Sequence, residues 1–117
     1  MEKIRMLPEK FSGPERDEIR AAALAAVGSD HPGAQVLRTS IVSPSWREDW
    51  RFEEGADRVL RLTASRQVNI QAAAKKEDGV FLLTIGVYSR KNPDWTWGPM
   101  KGYVMFSDRM LEENVEK

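Results

Sequence analysis

The chain contains no cysteine. Disulfides, thiolate chemistry and cysteine-ligated zinc are therefore excluded, and the fold must be held by its own core. Net charge is also missing: 18 Lys and Arg balance 18 Asp and Glu. No overall field draws the protein to nucleic acid, which is not expected as a partner. Histidine is confined to His31, beside Pro32 in a turn sequence and with nothing nearby to complete a catalytic triad. No apolar run approaches the roughly 20 residues that span a bilayer, so no membrane span is expected. No glycine-rich phosphate loop, metal-spaced cluster, repeat or low-complexity tract is present. No catalytic residue, metal or cofactor is assigned on these grounds. Met1 to Pro8 lack the apolar core of a signal peptide. As it stands the chain is expected in the cytoplasm, and in the periplasm or outside the cell if a leader was removed.

What the sequence does contain is 117 residues, 41% of them hydrophobic, enough for one core. Residues 1–11 show no clean period and are expected as a tail or extended lead-in to a single domain over 12–117. The strongest pattern runs from Arg58 to Lys91. Leu60, Leu62, Ala64, Val68, Ile70, Ala72 and Ala74 alternate with mostly polar residues, the period of a half-buried strand. Asp78-Gly79 suits a two-residue hairpin turn, which would set Ala74 against Leu83, Ala72 against Ile85 and Ile70 against Val87. Arg66 interrupts the apolar face, and a bulge or bend is expected over Ala64 to Arg66.

Upstream, Ser12-Gly13-Pro14-Glu15 has the form of a capping box, and Ile19, Ala22, Ala23, Ala26 and Val27 form one helical stripe. Gly28 is expected to end that helix. Val36, Thr39, Ile41 and Val42 argue for a strand stopped by Pro44. Trp46 to Glu53 alternates more cleanly, with Trp46, Glu48, Trp50 and Phe52 on one face and Arg47, Asp49, Arg51 and Glu53 on the other. Lys101 to Phe106 reads as a last strand, followed by a short helix from Ser107 or Asp108 through Val115. The predicted class is α+β: one N-terminal helix on a curved antiparallel sheet of four or five strands, with a short C-terminal helix.

This order of elements from Ser12 to Phe106, with the Asp78-Gly79 hairpin, resembles the cystatin-like or NTF2-like helix-on-sheet superfamily. The resemblance implies a helix cradled by long bent strands. The Gln-x-Val-x-Gly loop of cystatin inhibitors has no match in Lys76 to Val80 or Asn92 to Pro99. NTF2-like enzymes place acids or histidines between helix and sheet, and the sole histidine here, His31, sits beside Pro32 in a turn, so no catalytic residue is carried over.

The four tryptophans are the unusual feature. Flat rings with one donor each stack on ligands and concentrate binding energy at interfaces. Trp46 and Trp50 on an alternating strand fit a core; Trp95 and Trp97, framed by Pro93 and Pro99, fit a binding loop as well as a core. Arg47 belongs to an arginine-rich stretch, with Arg38, Arg51, Arg58 and Arg61, interleaved with acids that would pair with it on a solvated face. Glu48 and Arg66, polar in apolar registers, would pair if both point inward, giving an acid to a pocket; otherwise both reach solvent. Two functions are therefore carried forward. One is a binding or interaction domain that holds a protein, peptide or small molecule through a concave sheet face and the Trp95–Trp97 loop, with a homodimer through the sheet as a further arrangement. The other is a small NTF2-like enzyme or ligand-binding protein with a pocket between helix and sheet and Glu48 as its acid.

Overall fold

A computed structural model of the chain describes residues 5–115. The elements are α1 (Arg16–Asp30), β1 (Gln35–Ile41), β2 (Arg47–Glu54), β3 (Leu60–Lys76), β4 (Gly79–Arg90) and β5 (Lys101–Met110), then a 3-10 turn at Glu112–Asn114. One helix packs on an open antiparallel sheet of five strands, so the class is α+β.

The helix buries Ile19, Ala23, Ala26 and Val27, a stripe that returns every three or four residues. Small side chains let it lie almost on the sheet. At Gly102 of β5 a Cβ would stand 2.7 Å from the carbonyl oxygen of Ala22, so only glycine fits there. The expected Ser12 cap is not formed. Glu15 is the N-cap residue and makes no capping bond, because its carboxylate is bound elsewhere. Gly28 does not end the helix either. The helix continues to Asp30, where the His31 N–H bonds to the Val27 carbonyl, and Gly33 takes the positive φ, at 83°.

β3 bonds along one edge to β4, and its other edge is shared. β1 pairs with the Ile70–Lys75 half and β2 with the Leu60–Gln67 half, with Pro44 in the break between them. The bulge expected at Ala64 to Arg66 is absent. β3 stays in register with both neighbours there, and the irregularities fall at Val36/Arg38 in β1 and opposite Thr84/Ile85 in β5. The hairpin register also differs from expectation. Lys76 faces Gly79, which makes Glu77 and Asp78 the turn residues. Neither has positive φ, whereas Gly79 has φ 138°, so the glycine follows the turn instead of forming it. Ala72 therefore faces Leu83, and Ile70 faces Ile85. A displacement of two residues leaves every side chain on its expected face, which is why the apolar match persists.

That face makes the main core: Ile70, Ala72, Leu83, Ile85 and Val87 lie against the helix stripe, with Ile41 and Phe11 at its side. A second, smaller core occupies part of the opposite face, where Ala73, Val80, Leu82 and Met110 meet Met6 and Val115. It explains both ends of the chain. Residues 6–11 are extended but anchored: the Leu7 N–H donates to Gln71 Oε1 (2.8 Å), Ser40 Oγ donates to the Leu7 carbonyl (2.7 Å), and the Lys10 N–H donates to the Ile41 carbonyl (2.9 Å). β5 runs on to Met110 to reach this core, which leaves only the 3-10 turn where a short helix was expected.

The domain measures 54 × 28 × 22 Å. At 15 residues the helix spans about 22 Å, whereas the 17 residues of β3 span about 53 Å end to end. The strand outruns its cover. Beyond Ala64, whose carbonyl accepts from the Lys91 N–H just past the end of β4 (2.9 Å), β3 continues with β2 alone as a two-stranded ribbon.

Candidate functional site

Where the ribbon leaves the body, Arg66 sits on the helix side of the sheet, only 9% exposed. Its guanidinium forks onto Glu15 at the helix start, with Nη2 to Oε2 at 2.7 Å and Nη1 to Oε1 at 3.2 Å, and its Nε donates to Ser89 Oγ at 3.1 Å. The indole of Trp46 also donates to Glu15, at 3.2 Å. Flat above and below, the guanidinium lies 4.1 Å from the Trp46 ring centre and 4.6 Å from that of Trp97. Phe11 meets Trp46 edge-on at 6.3 Å, and the Lys91 ammonium lies 4.5 Å from the Trp97 ring centre. The sequence Phe11, Trp46, Arg66, Trp97, Lys91 is thus a ladder of rings and cations.

The loop after β4 is built to hold its two tryptophans. The Asn92 N–H bonds to the Thr96 carbonyl (2.8 Å), the Gly98 N–H to the Arg90 carbonyl (2.8 Å), and Lys91 Nζ to the Trp95 carbonyl (2.8 Å). Asp94 accepts from both the hydroxyl and the N–H of Thr96, and these bonds, the hydroxyl first, hold its carboxyl below the usual aspartate range. Trp95 has φ 67°, an uncommon conformation for a bulky residue. The loop imposes it, and the ring consequently stacks on Trp50 of the ribbon, 6.1 Å between centres and 20° between planes.

Trp50 is no core residue, contrary to its strand pattern. It is 48% exposed, Trp95 is 50% exposed, and their neighbours Phe52 and Leu60 reach 71% and 65%. Phe52 faces Leu62 across the ribbon, and Trp50 faces Ala64. All lie on the side the helix would cover if it were longer. Glu48 faces Arg66 in the β2–β3 register, yet the two do not pair. Arg66 turns to Glu15, which offers both oxygens, and exposed Glu48 instead accepts from the Trp50 indole at 3.1 Å. Glu48 is therefore not an acid between helix and sheet.

The opposite face of the same region carries a polar groove of about 530 Å³. Arg47, Arg51 and Arg90 stand around it, with Gln67, Tyr88 and Tyr103. Tyr103 lies over Gly86, where a Cβ would come within 2.7 Å of its ring, and its hydroxyl donates to Gln67 at 3.0 Å. Arg51 pairs with Asp49 at 2.7 Å, while Arg47 and Arg90 have no ion pair among the described residues. Of the arginine stretch read in the sequence, Arg61 pairs with Asp57 (2.7 Å) and Arg38 donates to the Val115 carbonyl (2.6 Å).

The structure thus joins Trp46 and Trp97 through Arg66, joins Trp50 to Trp95, and sets Arg47 on the other face. Sequence reasoning missed Glu15 as the anchor of this site, having assigned it to a capping box. The exposed ribbon was also missed, although its signal was present: a 15-residue helix is too short to cover a 17-residue strand. No protein-family model, no curated protein and no solved structure matches the chain.

Proposed function

We propose that the protein is a binding domain that docks a protein partner on the helix-side face of the β2–β3 ribbon, with the Trp50–Trp95 stack at the centre of the contact. The observation that carries this reading is the contiguous exposure of Trp50, Phe52, Leu60, Leu62 and Trp95. With an aromatic side chain presenting roughly 150–250 Å² when fully exposed, the patch amounts to about 600 Å². That is at the upper end of what a monomer leaves in water. The rings are held in place before any partner arrives, by the loop bonds and by each other, so little freedom is lost on docking. Glu48 and Glu54, exposed on the same face, supply a polar rim.

The filled space beneath the helix favours this reading over a catalytic pocket. Ile19, Ala23 and Val27 meet Ile70, Leu83 and Ile85 there, all essentially inaccessible. The acids with clearly shifted pKa values, Glu9, Asp57 and Asp94, all shift downward, away from the proton-donating range. Photocrosslinking tests the proposal. A benzophenone residue at position 52 should give a defined adduct in cells producing the protein, and the same residue at exposed position 18 on the helix should not. Equal yields from both positions, or none from position 52, would remove the ribbon as a docking surface.

A further inference from the structure

We infer that the partner taken by the ribbon is a second copy of this chain, joined edge to edge through β2 in antiparallel register about a two-fold axis at Trp50; this rests on the ribbon being a contact surface. β2 bonds only to β3, so among the described residues its outer edge is unpaired, and all eight of its residues are exposed. A bare edge of this kind pairs with another strand unless its side chains forbid it.

Here the side chains are self-complementary. On the groove face β2 reads Arg47, Asp49, Arg51, Glu53, alternating in sign. A two-fold axis normal to the sheet sets residues of the same face opposite one another. Centred on Trp50, it places Arg47 against the partner's Glu53 and Asp49 against the partner's Arg51, and each pair occurs twice. Centring on Asp49 instead would set that acid against itself and Arg47 against the partner's Arg51. Centring on Arg51 would set that arginine against itself and Asp49 against the partner's Glu53. Like charges directly opposite destabilise a ladder. Centring on Phe52 pairs only Arg51 with the partner's Glu53, and centring on Glu48 sets that acid against itself, whereas the Trp50 register alone matches all four groove-face charges with opposite ones. Arg47, without an ion pair in the single chain, gains one in this arrangement.

The helix-side face agrees. Trp50 meets the partner's Trp50 across the axis, and each already stacks on its own Trp95, so four rings run in sequence through the dimer centre. The paired edge covers the bare β2 backbone and brings the Trp50 rings together, while Leu60 and Leu62, one strand further in, stay on the open helix-side face. The contact is isologous and closes on itself, leaving a dimer and not a filament.

Charge exchange tests this with the full chain. Asp49→Arg sets arginine against arginine across the axis, and Arg51→Asp sets acid against acid. Both positions are exposed, with side-chain exposures of 50% and 70%, so both variants should fold, which circular dichroism checks. By sedimentation velocity over a concentration series, wild type should dimerise and each variant should associate about tenfold or more weakly, since every like-charge pair is repeated. An equal mixture of the two variants should restore dimerisation, because one copy then carries only arginine and the other only aspartate at these positions. As the chain has no cysteine, Trp50→Cys supplies a second measurement: mild oxidation should give one disulfide-linked dimer. A wild type that stays monomeric to about 1 mM, well above the micromolar range of specific association, overturns the inference. So does a variant that dimerises like wild type, or a mixture that does not recover. If position 52 still crosslinks to a different protein in those cases, the ribbon stands as a docking surface and only the self-pairing fails.

Discussion

Replacing Arg66 with alanine should be among the most damaging single changes in the domain. The side chain is 10% exposed and its partner Glu15 27% exposed, so this is a largely buried pair. Removing one member of a buried pair typically costs about 3–5 kcal/mol, and the partial exposure of Glu15 places the loss near the lower end. Glu15 would keep only the Trp46 indole as a side-chain donor. The two cation–ring contacts add about 1 kcal/mol between them. The expected total is about 3–4 kcal/mol, read from urea unfolding followed by tryptophan fluorescence. Arg66→Lys keeps the charge but loses the fork and the flat stacking, and should recover no more than about half of this. A cycle with Glu15→Gln isolates the pair, with an expected coupling of about 1–3 kcal/mol. A loss below about 1 kcal/mol for alanine, or a coupling near zero, would mean that Arg66 is a solvated strand residue and that the ladder holds nothing together.

The two loop tryptophans should separate in stability. Trp97, half-buried between Arg66 and Lys91, should cost about 2 kcal/mol as alanine and Trp95 less than about 1 kcal/mol; the reverse order in urea would misplace the loop. Gly102→Ala should cost about 1–3 kcal/mol by pushing α1 off β5, and an unchanged urea midpoint would show that the helix is not that close. Burial alone would raise the pKa of Glu9, but the Ile41 N–H, the bond and charge of Arg20, and the charge of Arg16 outweigh it and hold the carboxyl below its usual 4.5. Its stabilising contribution is therefore complete above about pH 4.5 and lost as the pH falls through the lowered value. Glu9→Gln should flatten the stability profile below pH 4.5, and identical slopes for the two proteins between pH 3 and 5 would refute the linkage.

The hairpin was legible because alternation is a local signal: Val68, Ile70, Ala72 and Ala74 declare their face whatever they pair with. Its exact register was not, since Glu77-Asp78 and Asp78-Gly79 both make acceptable two-residue turns and differ by a shift that keeps all faces. The second core had a readable sign in the unbroken apolar run Val80 to Leu83, which marks a strand covered on both sides. Arg66 looked like a breach in the pattern because its partner Glu15 lies 51 residues away, and no local period can show what a helix start brings to a strand. Trp50 has the alternation of a core position; only the relative lengths of helix and strand say that nothing covers it.

β3 is one covalent strand with two levels of protection along it. At Ile70 to Ala74 it has a neighbour on each edge and a core on each face, whereas Leu60 to Thr63 bond to β2 alone, with neither face against a core. A two-stranded ribbon is marginal by itself, so it should open without the rest of the sheet. Backbone amides of Leu60 to Thr63 and of β2 will then exchange with deuterium by local opening, many times faster than those of Ala72 to Ala74, which wait for global unfolding. The boundary between fast and slow exchange falls near Ala64, inside a strand and not at its end. Whatever settles on the ribbon gains the slow regime for it, and the shift of that boundary toward Leu60 reports occupancy residue by residue.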